Sequence, residues 1–165
     1  MPVPHRILIL GNSGSGKTWL AQTLAHRLQS TAIELDTLHW LPGGFQQRRP
    51  PEAAKSAVRD RALAEKWVIE GVFGWLAAEA MPRTQQLIWL VVPEEECVRN
   101  LESRPIKSGE DDASRSALFQ WCREYRTRQN ANAFAGHQGL YDQFTGEKHI
   151  LASRQEIARF LSEFP

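Results

Sequence analysis

The chain has 165 residues and a formal net charge of +1 at pH 7, and its basic residues are mostly arginine. This length fits one domain, because domains average roughly 150 residues. The near-balanced charge argues against a strong field for DNA, RNA or an anionic membrane, so a nucleic-acid partner is not expected. A local arginine-lined pocket is more credible, since the planar guanidinium binds phosphate or carboxylate bidentately.

The sequence also bears on the compartment. No apolar run approaches the ~20 residues that cross a bilayer, and the first residues lack the layout of a signal peptide. Cys97 and Cys122 lie far apart and in no C-x-x-C pattern, which is typical of buried thiols in a reducing compartment. We therefore predict a cytoplasmic protein with no membrane partner, and the oligomeric state stays open.

Short apolar runs alternate with helical periodicity along the chain. Predicted strands cover residues 6–10, 32–36, 67–70, 87–92 and 148–152. Predicted helices cover residues 16–29, 52–65, 94–103, 113–128 and 154–161, with a further short helix expected in 130–146. Predicted loops lie at 42–51 and 105–112. The alternation predicts an α/β fold of the P-loop NTPase type, a doubly wound, five-stranded parallel sheet with helices on both faces.

A glycine-rich loop follows the first strand and opens the first helix, and it matches G-x-x-x-x-G-K-[ST] in full. Lys17 is predicted to bridge the β- and γ-phosphates of a nucleoside triphosphate, and the Thr18 hydroxyl to ligate Mg²⁺. The predicted nucleotide-binding residues of the loop are Gly11, Asn12, Ser13, Gly14, Ser15, Gly16, Lys17 and Thr18. The motif therefore predicts ATP and Mg²⁺ as cofactors, with the preference for ATP over GTP left open.

Carboxylates end two of the predicted strands. Glu70 ends the third strand and is the predicted neighbour of the metal ion. Asp36 ends the second, where it could orient an acceptor hydroxyl or accept its proton. Glu34 shares a strand face with Asp36, and His39 is an alternative proton acceptor. The alternative for each acid is a solvated or helix-capping side chain.

Arginines recur on either side of a polar loop that contains Gly109. They are Arg99, Arg104, Arg123, Arg126 and Arg128. A flexible segment rich in arginine is typical of a lid that closes on phosphates, so a short lid is expected around residues 104–128 of a single domain spanning 1–165. The alternative is a solvated helix face with ordinary ion pairs.

Aromatic and basic residues near the predicted functional edge suggest an acceptor pocket. Trp40, Trp75 and Trp121 could line it, and Arg48 with Arg49 could hold an anionic acceptor. Two other tryptophans, Trp19 and Trp67, are predicted to be core residues.

Taken together, these segments resemble the adenylate-kinase-like P-loop kinases. More narrowly, the chain resembles the small bacterial P-loop proteins known as DNA topology modulation proteins. The resemblance rests on residues 9–18, 35–40, 67–71, 88–93, 99–104, 119–126 and 150–157. The segment beginning at Asp36 also resembles the acceptor segment of gluconate kinases, and shikimate kinases place carboxylates at the end of this strand.

The resemblance implies roles for the arginines and for the acid-glycine pair. Arg104 would be a lid arginine on the nucleotide phosphates, and Arg123 or Arg126 would reach the transferred phosphate. Glu70 would face the metal and the acceptor. The predicted function is transfer of the γ-phosphoryl group of ATP to a nucleotide or a small hydroxylated metabolite. The alternative is a nucleotide-binding regulator, or a slow ATPase without a small-molecule acceptor.

Overall fold

Five strands pair in one parallel sheet, in the order β2-β3-β1-β4-β5. They are β1 (Arg6–Gly11), β2 (Ala32–Glu34), β3 (Trp67–Gly71), β4 (Gln86–Leu90) and β5 (Glu147–Leu151). The computed structural model describes residues 2–43, 47–107 and 109–165. The predicted α/β fold with a five-stranded parallel sheet is confirmed. Residues 44–46 and 108, which fall in the two predicted loops, lie outside the described residues.

Helices pack on both faces of this sheet. They are α1 (Lys17–Arg27), α2 (Leu35–His39), α3 (Pro51–Ala62), α4 (Gly74–Ala80), α5 (Glu94–Ser103), α6 (Asp112–Arg123), α7 (Phe134–Gln143) and α8 (Arg154–Glu163). Within the described residues, no helix is long and apolar enough to span a bilayer.

Strand β1 shows how the two faces are filled. Its side chains alternate, so that Leu8 and Leu10 join a core with α3 and α4, whereas Ile7 and Ile9 join a core with α1 and α8. All four side chains are fully buried. A central strand buried on both faces reads as a continuous apolar run, which is why the sequence showed it clearly.

The end of the second strand was predicted wrongly. Strand β2 stops at Glu34, and Leu35 begins the one-and-a-half-turn helix α2, so Asp36 lies in the first turn of a helix and not at a strand end. Leu35 is fully buried, with its side chain against Gly71 of the neighbouring strand. With Leu35 packed in this way, the strand ends after three residues.

Helix boundaries also differ from the prediction in two places. Helix α4 follows β3 directly and had no counterpart in the sequence reading. Helix α6 ends at Arg123, so Arg126 lies in the turn beyond it, Arg128 follows that turn, and neither continues a helical face. The short helix expected within 130–146 is confirmed as α7.

The candidate functional residues lie at one edge of the sheet, where the strands have their carboxyl ends. The loop after β1, Glu34 at the end of β2 and Glu70 near the end of β3 all lie at this edge, since Glu34 pairs directly with Glu70 in the register. Ligands bind outside the carboxyl ends of the strands in open α/β sheets, so this edge is where a site is expected.

Candidate nucleotide site and aromatic cavity

The phosphate loop connects β1 to α1, and Lys17 is the first residue of α1. The Lys17 ammonium donates to the main-chain oxygen of Asn12 at 2.7 Å and is buried. The first backbone N–H groups of an α-helix have no partner within the helix, so they point at the loop together with the positive end of the helix dipole. The loop thus presents a ready site for an anion.

Two glycines set the curvature of this loop. Gly14 has φ 75° and Gly16 has φ 95°, both in the left-handed region. A Cβ at Gly14 would overlap the carbonyl oxygen of Cys97, so the loop packs backbone to backbone on α5. A Cβ at Gly16 would meet open space, and this is the side on which a phosphate can approach.

Side chains from outside the loop hold it in place. The Asn12 amide donates to the Cys122 carbonyl oxygen at 2.9 Å, and the Asn100 amide donates to the Gly14 carbonyl oxygen at 2.8 Å. The Asn12 side chain therefore anchors the loop to α6, whereas the sequence assigned this residue to the nucleotide. Ser15 Oγ is buried and has no hydrogen-bond partner among the described residues, so it fits a bound phosphate oxygen.

Thr18 and Glu70 are joined at the position predicted for the metal. Thr18 Oγ1 donates to Glu70 Oε1 at 2.7 Å. Burial raises the pKa of the Glu70 carboxyl above its ordinary value, against the opposing effects of nearby Lys17 and of the Thr18 hydrogen bond. A hydroxyl and a carboxylate at this spacing suit the oxygen ligands and bridging waters that Mg²⁺ prefers. The described residues contain no cluster of three or more His, Cys, Asp or Glu that could hold a metal unaided.

A cavity of about 520 Å³, here called the phosphate cavity, opens in front of the loop. Its walls include Lys17 and Thr18 from α1, and the carboxylates of Glu34, Asp36 and Glu70. The opposite wall belongs to the segment predicted as a lid. It consists of Arg104, Lys107, Gly109, Glu110, Ser114, Ala117, Leu118 and Trp121. The sequence reading missed Lys107, because a single lysine in a polar loop carries no signal of its own.

A second cavity of about 550 Å³, here called the base cavity, lies on the other side of the loop. It combines apolar groups such as Val92 and Ile157 with the side chains of Arg104 and Arg154. Trp19 also lines it and is 59% exposed, so the prediction that Trp19 is a core residue was wrong. The helical spacing that suggested a buried side chain instead places the indole beside the phosphate loop.

A third cavity of about 600 Å³ is continuous with the phosphate cavity. We call it the aromatic cavity, because Trp40, Phe73, Trp75 and Trp121 line it. The residues that border both cavities are Ser13, Asp36, Trp40, Val72, Leu118 and Trp121. The three tryptophans predicted near the functional edge are therefore brought together.

His39 and two arginines supply polar groups to the aromatic cavity. The His39 ring stacks on Phe73 at 3.9 Å between centroids and is 8% exposed. Burial, and then Arg48, lower the pKa of His39, which favours the neutral imidazole. Arg48 and Arg49 also line this cavity. His39 is not among the residues that line the phosphate cavity, and its ring is held by aromatic contacts, so its predicted role as proton acceptor gains no support.

Two predicted arginines lie elsewhere. Arg126 pairs with Glu94 at 2.7 Å and Arg123 pairs with Glu95 at 3.4 Å. Neither arginine is among the described residues that line the three cavities. Arg104, in contrast, borders both the phosphate cavity and the base cavity.

A buried chain of hydrogen bonds supports this edge, and no local sequence pattern predicted it. Trp89 Nε1 donates to the Tyr125 hydroxyl at 3.0 Å, and that hydroxyl lies 2.6 Å from His137 Nδ1. His137 Nε2 lies 2.8 Å from the Val72 carbonyl oxygen. Burial lowers the pKa of His137 to about 4, so the ring is neutral at pH 7, donating to Val72 and accepting from Tyr125.

Solved structures with a similar fold include two small-molecule kinases. One is a gluconokinase from Sinorhizobium meliloti 1021, 19% identical, with a TM-score of 0.58 over 98% of this chain and 96% of that one. Another is a shikimate kinase from Bacteroides thetaiotaomicron, 21% identical, with a TM-score of 0.57 over 97% and 96%. An uncharacterized protein from Eubacterium ventriosum ATCC 27560 is 13% identical, with a TM-score of 0.53 over 97% and 98%. These likenesses show a P-loop kinase-like fold.

Sequence comparison adds a relative and a family. The uncharacterized protein YqaC of Bacillus subtilis (strain 168) is 39% identical over 70 residues, which span 42% of this chain and only 39% of YqaC. The AAA domain family matches residues 7–120, from β1 into α6. The chain therefore belongs to the AAA domain family.

Proposed function

We propose that this protein is a kinase that transfers the γ-phosphoryl group of ATP to a small hydroxylated metabolite or a nucleotide. The observation that carries the proposal is the position of Asp36. Its carboxylate borders the phosphate cavity, together with Lys17 and Thr18, and also borders the adjoining aromatic cavity. A carboxylate between a donor site and a second, well-formed cavity is the arrangement that phosphoryl transfer to an acceptor requires, and simple hydrolysis needs no such second cavity.

The donor would bind with its phosphates on the loop and its base in the base cavity. Lys17, already directed into the loop, would contact the β- and γ-phosphates, and the base would pack among Trp19 and Ile157. Thr18 would hold Mg²⁺ directly and Glu70 through water, and the ion would neutralise charge on the phosphate oxygens.

Asp36 would act on the acceptor hydroxyl. The hydroxyl oxygen forms a bond to the γ-phosphorus while the bond from that phosphorus to the β–γ bridging oxygen breaks. The hydroxyl proton passes to the Asp36 carboxylate, and ADP leaves with the bridging oxygen. A carboxylate within reach of the hydroxyl lowers the barrier, because an alcohol is a poor nucleophile until its proton is removed.

Residues 104–128 would serve as a lid within a single domain. Arg104 would contact the nucleotide phosphates, since it already borders both cavities of the donor. For Arg123 or Arg126 to reach the transferred phosphate, each would have to leave its acidic partner on α5. Those ion pairs are partly exposed and therefore contribute only about 0–1 kcal/mol, which makes their exchange for a phosphate inexpensive.

The test is transfer of the γ-phosphoryl group from labelled ATP with Mg²⁺ to a panel of acceptors. The panel holds gluconate, shikimate, nucleosides and nucleoside monophosphates. We expect a labelled small product with the native protein and none with Lys17→Ala, whereas Lys66→Ala, at an exposed position, should retain activity. Lys17-dependent nucleotide binding without any labelled product would contradict the kinase proposal and favour a nucleotide-binding regulator or slow ATPase. The narrower likeness to the DNA topology modulation proteins stays a prediction.

A further inference from the structure

The aromatic cavity has rigid, flat walls. The Arg128 guanidinium lies over the Trp121 ring, 4.0 Å from its centroid, and also donates to the Trp121 main-chain oxygen at 3.2 Å, so one face of the indole is covered. Phe73 is held by its stack on His39, and the His39 ring meets Trp75 edge-on at 5.8 Å. Aromatic faces held in this way favour a flat ring over a flexible chain, because offset stacking adds to the burial of apolar area.

Two residues in this wall, His39 and Asn132, each have a buried side-chain polar atom that lacks a hydrogen-bond partner among the described residues. His39 Nδ1 is buried and has no hydrogen-bond partner among the described residues, although the residue lines the cavity. A buried polar group without a partner is costly, so such a group requires a partner from outside the protein, which ordered water or a ligand can supply. His39 Nδ1 is thus available for a hydroxyl or carboxyl group on an occupant.

Charge is distributed unevenly around the cavity. Asp36 supplies the one carboxylate among its described lining residues, and it sits at the junction with the phosphate cavity. Arg48 and Arg49 line the aromatic cavity and are not among the residues that line the phosphate cavity. Arg49 is oriented by the hydrogen bond that its Nε donates to the Leu38 carbonyl oxygen at 3.0 Å. An occupant would therefore place an anionic group toward the arginines and an uncharged group toward Asp36.

The residues at the junction of the phosphate cavity and the aromatic cavity also distinguish between two chemical classes of acceptor. A phosphate acceptor is already ionised and needs cations at the point of attack, where a carboxylate would repel it. A hydroxyl acceptor needs a base, and Asp36 is one. The junction residues therefore favour an alcohol over a nucleoside monophosphate.

We propose that the acceptor is a planar aromatic anion that carries an alcohol group, with its ring between the tryptophans, its anionic group on Arg48 and Arg49, and its hydroxyl at Asp36. This inference rests on the kinase function proposed above and narrows its substrate class. It excludes two classes of acceptor: sugar acids, which have no aromatic ring, and nucleotides that are phosphorylated on an existing phosphate.

Three matched probes separate the features of the acceptor. They are 4-(hydroxymethyl)benzoate, its saturated analogue 4-(hydroxymethyl)cyclohexanecarboxylate, and benzyl alcohol, which lacks the carboxylate. Binding to the full-length protein is measured by calorimetry in the presence of Mg²⁺ and a non-hydrolysable ATP analogue. We expect the aromatic acid to bind about tenfold tighter than either partner. Equal or tighter binding of the saturated acid, of the alcohol, or of gluconate or AMP would overturn the proposal.

Substitutions in the aromatic cavity test which lining residues cause the preference for the aromatic acid. Trp75→Leu should reduce the preference for the aromatic over the saturated acid to nearly none, while Trp75→Phe should retain it. Arg48→Gln should weaken binding of both acids and leave benzyl alcohol unchanged, whereas Arg61→Gln, which removes the same charge from exposed α3, should change nothing. Unfolding curves confirm that each variant folds. A preference that survives Trp75→Leu, or acid binding unaffected by Arg48→Gln, would place the probe outside the aromatic cavity and contradict the assignment.

Failure of this inference and failure of the kinase function give different results. Binding of the probes does not depend on phosphoryl transfer, and 4-(hydroxymethyl)benzoate is also added to the panel of the transfer assay. The predicted order of affinities without labelling of this acid or of any other acceptor would leave the aromatic anion as the ligand of the cavity and remove the kinase function. Labelled gluconate together with weak binding of the aromatic acid would support the kinase function and remove this inference.

Discussion

At the scale of single residues, Glu70, which is proposed to face the metal ion, lies in an unfavourable environment for a charge. The carboxylate is 4% exposed, and burial raises its pKa. Because the folded pKa exceeds the unfolded value, the folded protein binds more protons between these two pKa values, and stability falls as pH rises through this window. At neutral pH the ionised Glu70 therefore lowers the free energy of unfolding.

Glu70→Gln is expected to raise the stability of the folded protein and to lower its Mg²⁺-dependent activity. The amide keeps an oxygen that can accept from Thr18 but carries no charge to bury. We expect a higher Tm at pH 8, a smaller gain at pH 4, and a loss of Mg²⁺-dependent activity of about 10–100-fold. Glu65→Gln at an exposed position should do neither. Unchanged activity would remove Glu70 from the metal site.

Asp36→Asn tests the proton acceptor separately from nucleotide binding. The amide keeps the shape of the side chain and loses the base, so kcat should fall by about 10²–10⁴-fold while KM for ATP stays within a factor of a few. Asp60→Asn on the exposed face of α3 is the matched control. An equal loss in both kcat and ATP binding would indicate a general disturbance of the phosphate cavity.

At the scale of elements, α6 is fixed at its start by a cap that the sequence reading missed. The Asp111 side chain accepts from the Ser114 N–H at 2.7 Å, and the Ser114 hydroxyl accepts from the Asp111 N–H at 2.9 Å. This hydrogen bonding lowers the pKa of Asp111, so its stabilising effect is present above the unfolded pKa and is lost as pH falls below it.

Asp111→Ala should therefore destabilise the start of α6. We expect a Tm lower by about 2–4 °C at pH 7, by thermal unfolding, because one helix N-cap is lost. Asp112→Ala removes a neighbouring exposed carboxylate that makes no cap bond and should cost less. Equal effects of the two substitutions would show that the negative charge matters and the cap does not.

The same scale shows what the sequence could and could not predict. The five strands and the phosphate loop were predictable, because buried apolar runs and glycine spacing are local signals. Helix α2 was not, since Leu35 is drawn into the core by contact with Gly71, a residue 36 positions away in sequence. Nor was the pairing of Arg126 with Glu94, which depends on how α6 and α5 pack. Local patterns thus located the phosphate loop, while the contacts of the arginines depend on tertiary packing.

At the scale of the whole molecule, His137 makes folding sensitive to acid. The residue is fully buried, and its pKa is about 4 against 6.5 for an ordinary histidine. The unfolded chain therefore binds more protons between pH 4 and 6.5, so stability is complete above this window and is lost as pH falls through it. The loss amounts to about 3 kcal/mol on the relation between pKa and free energy.

Denaturant unfolding at a series of pH values measures this loss directly. The slope of the free energy of unfolding against pH between 4.5 and 6.5 should flatten in His137→Gln, whose amide can still donate to the Val72 carbonyl oxygen. His5→Gln at an exposed position should keep the native slope. An unchanged slope in the His137 variant would assign the acid sensitivity to other groups.

The two free cysteines lie directly behind the phosphate loop, and both are fully buried. The Cys122 thiol donates to the Ser13 carbonyl oxygen at 3.4 Å, and the Cys97 carbonyl packs beneath Gly14. A water-soluble thiol reagent can reach them only when the loop separates from α5 and α6. The rate of modification therefore reports how often the phosphate loop separates from these helices. A bound nucleotide that holds the loop in place would slow the modification. The opening of the loop can thus be measured on the native chain without an added label.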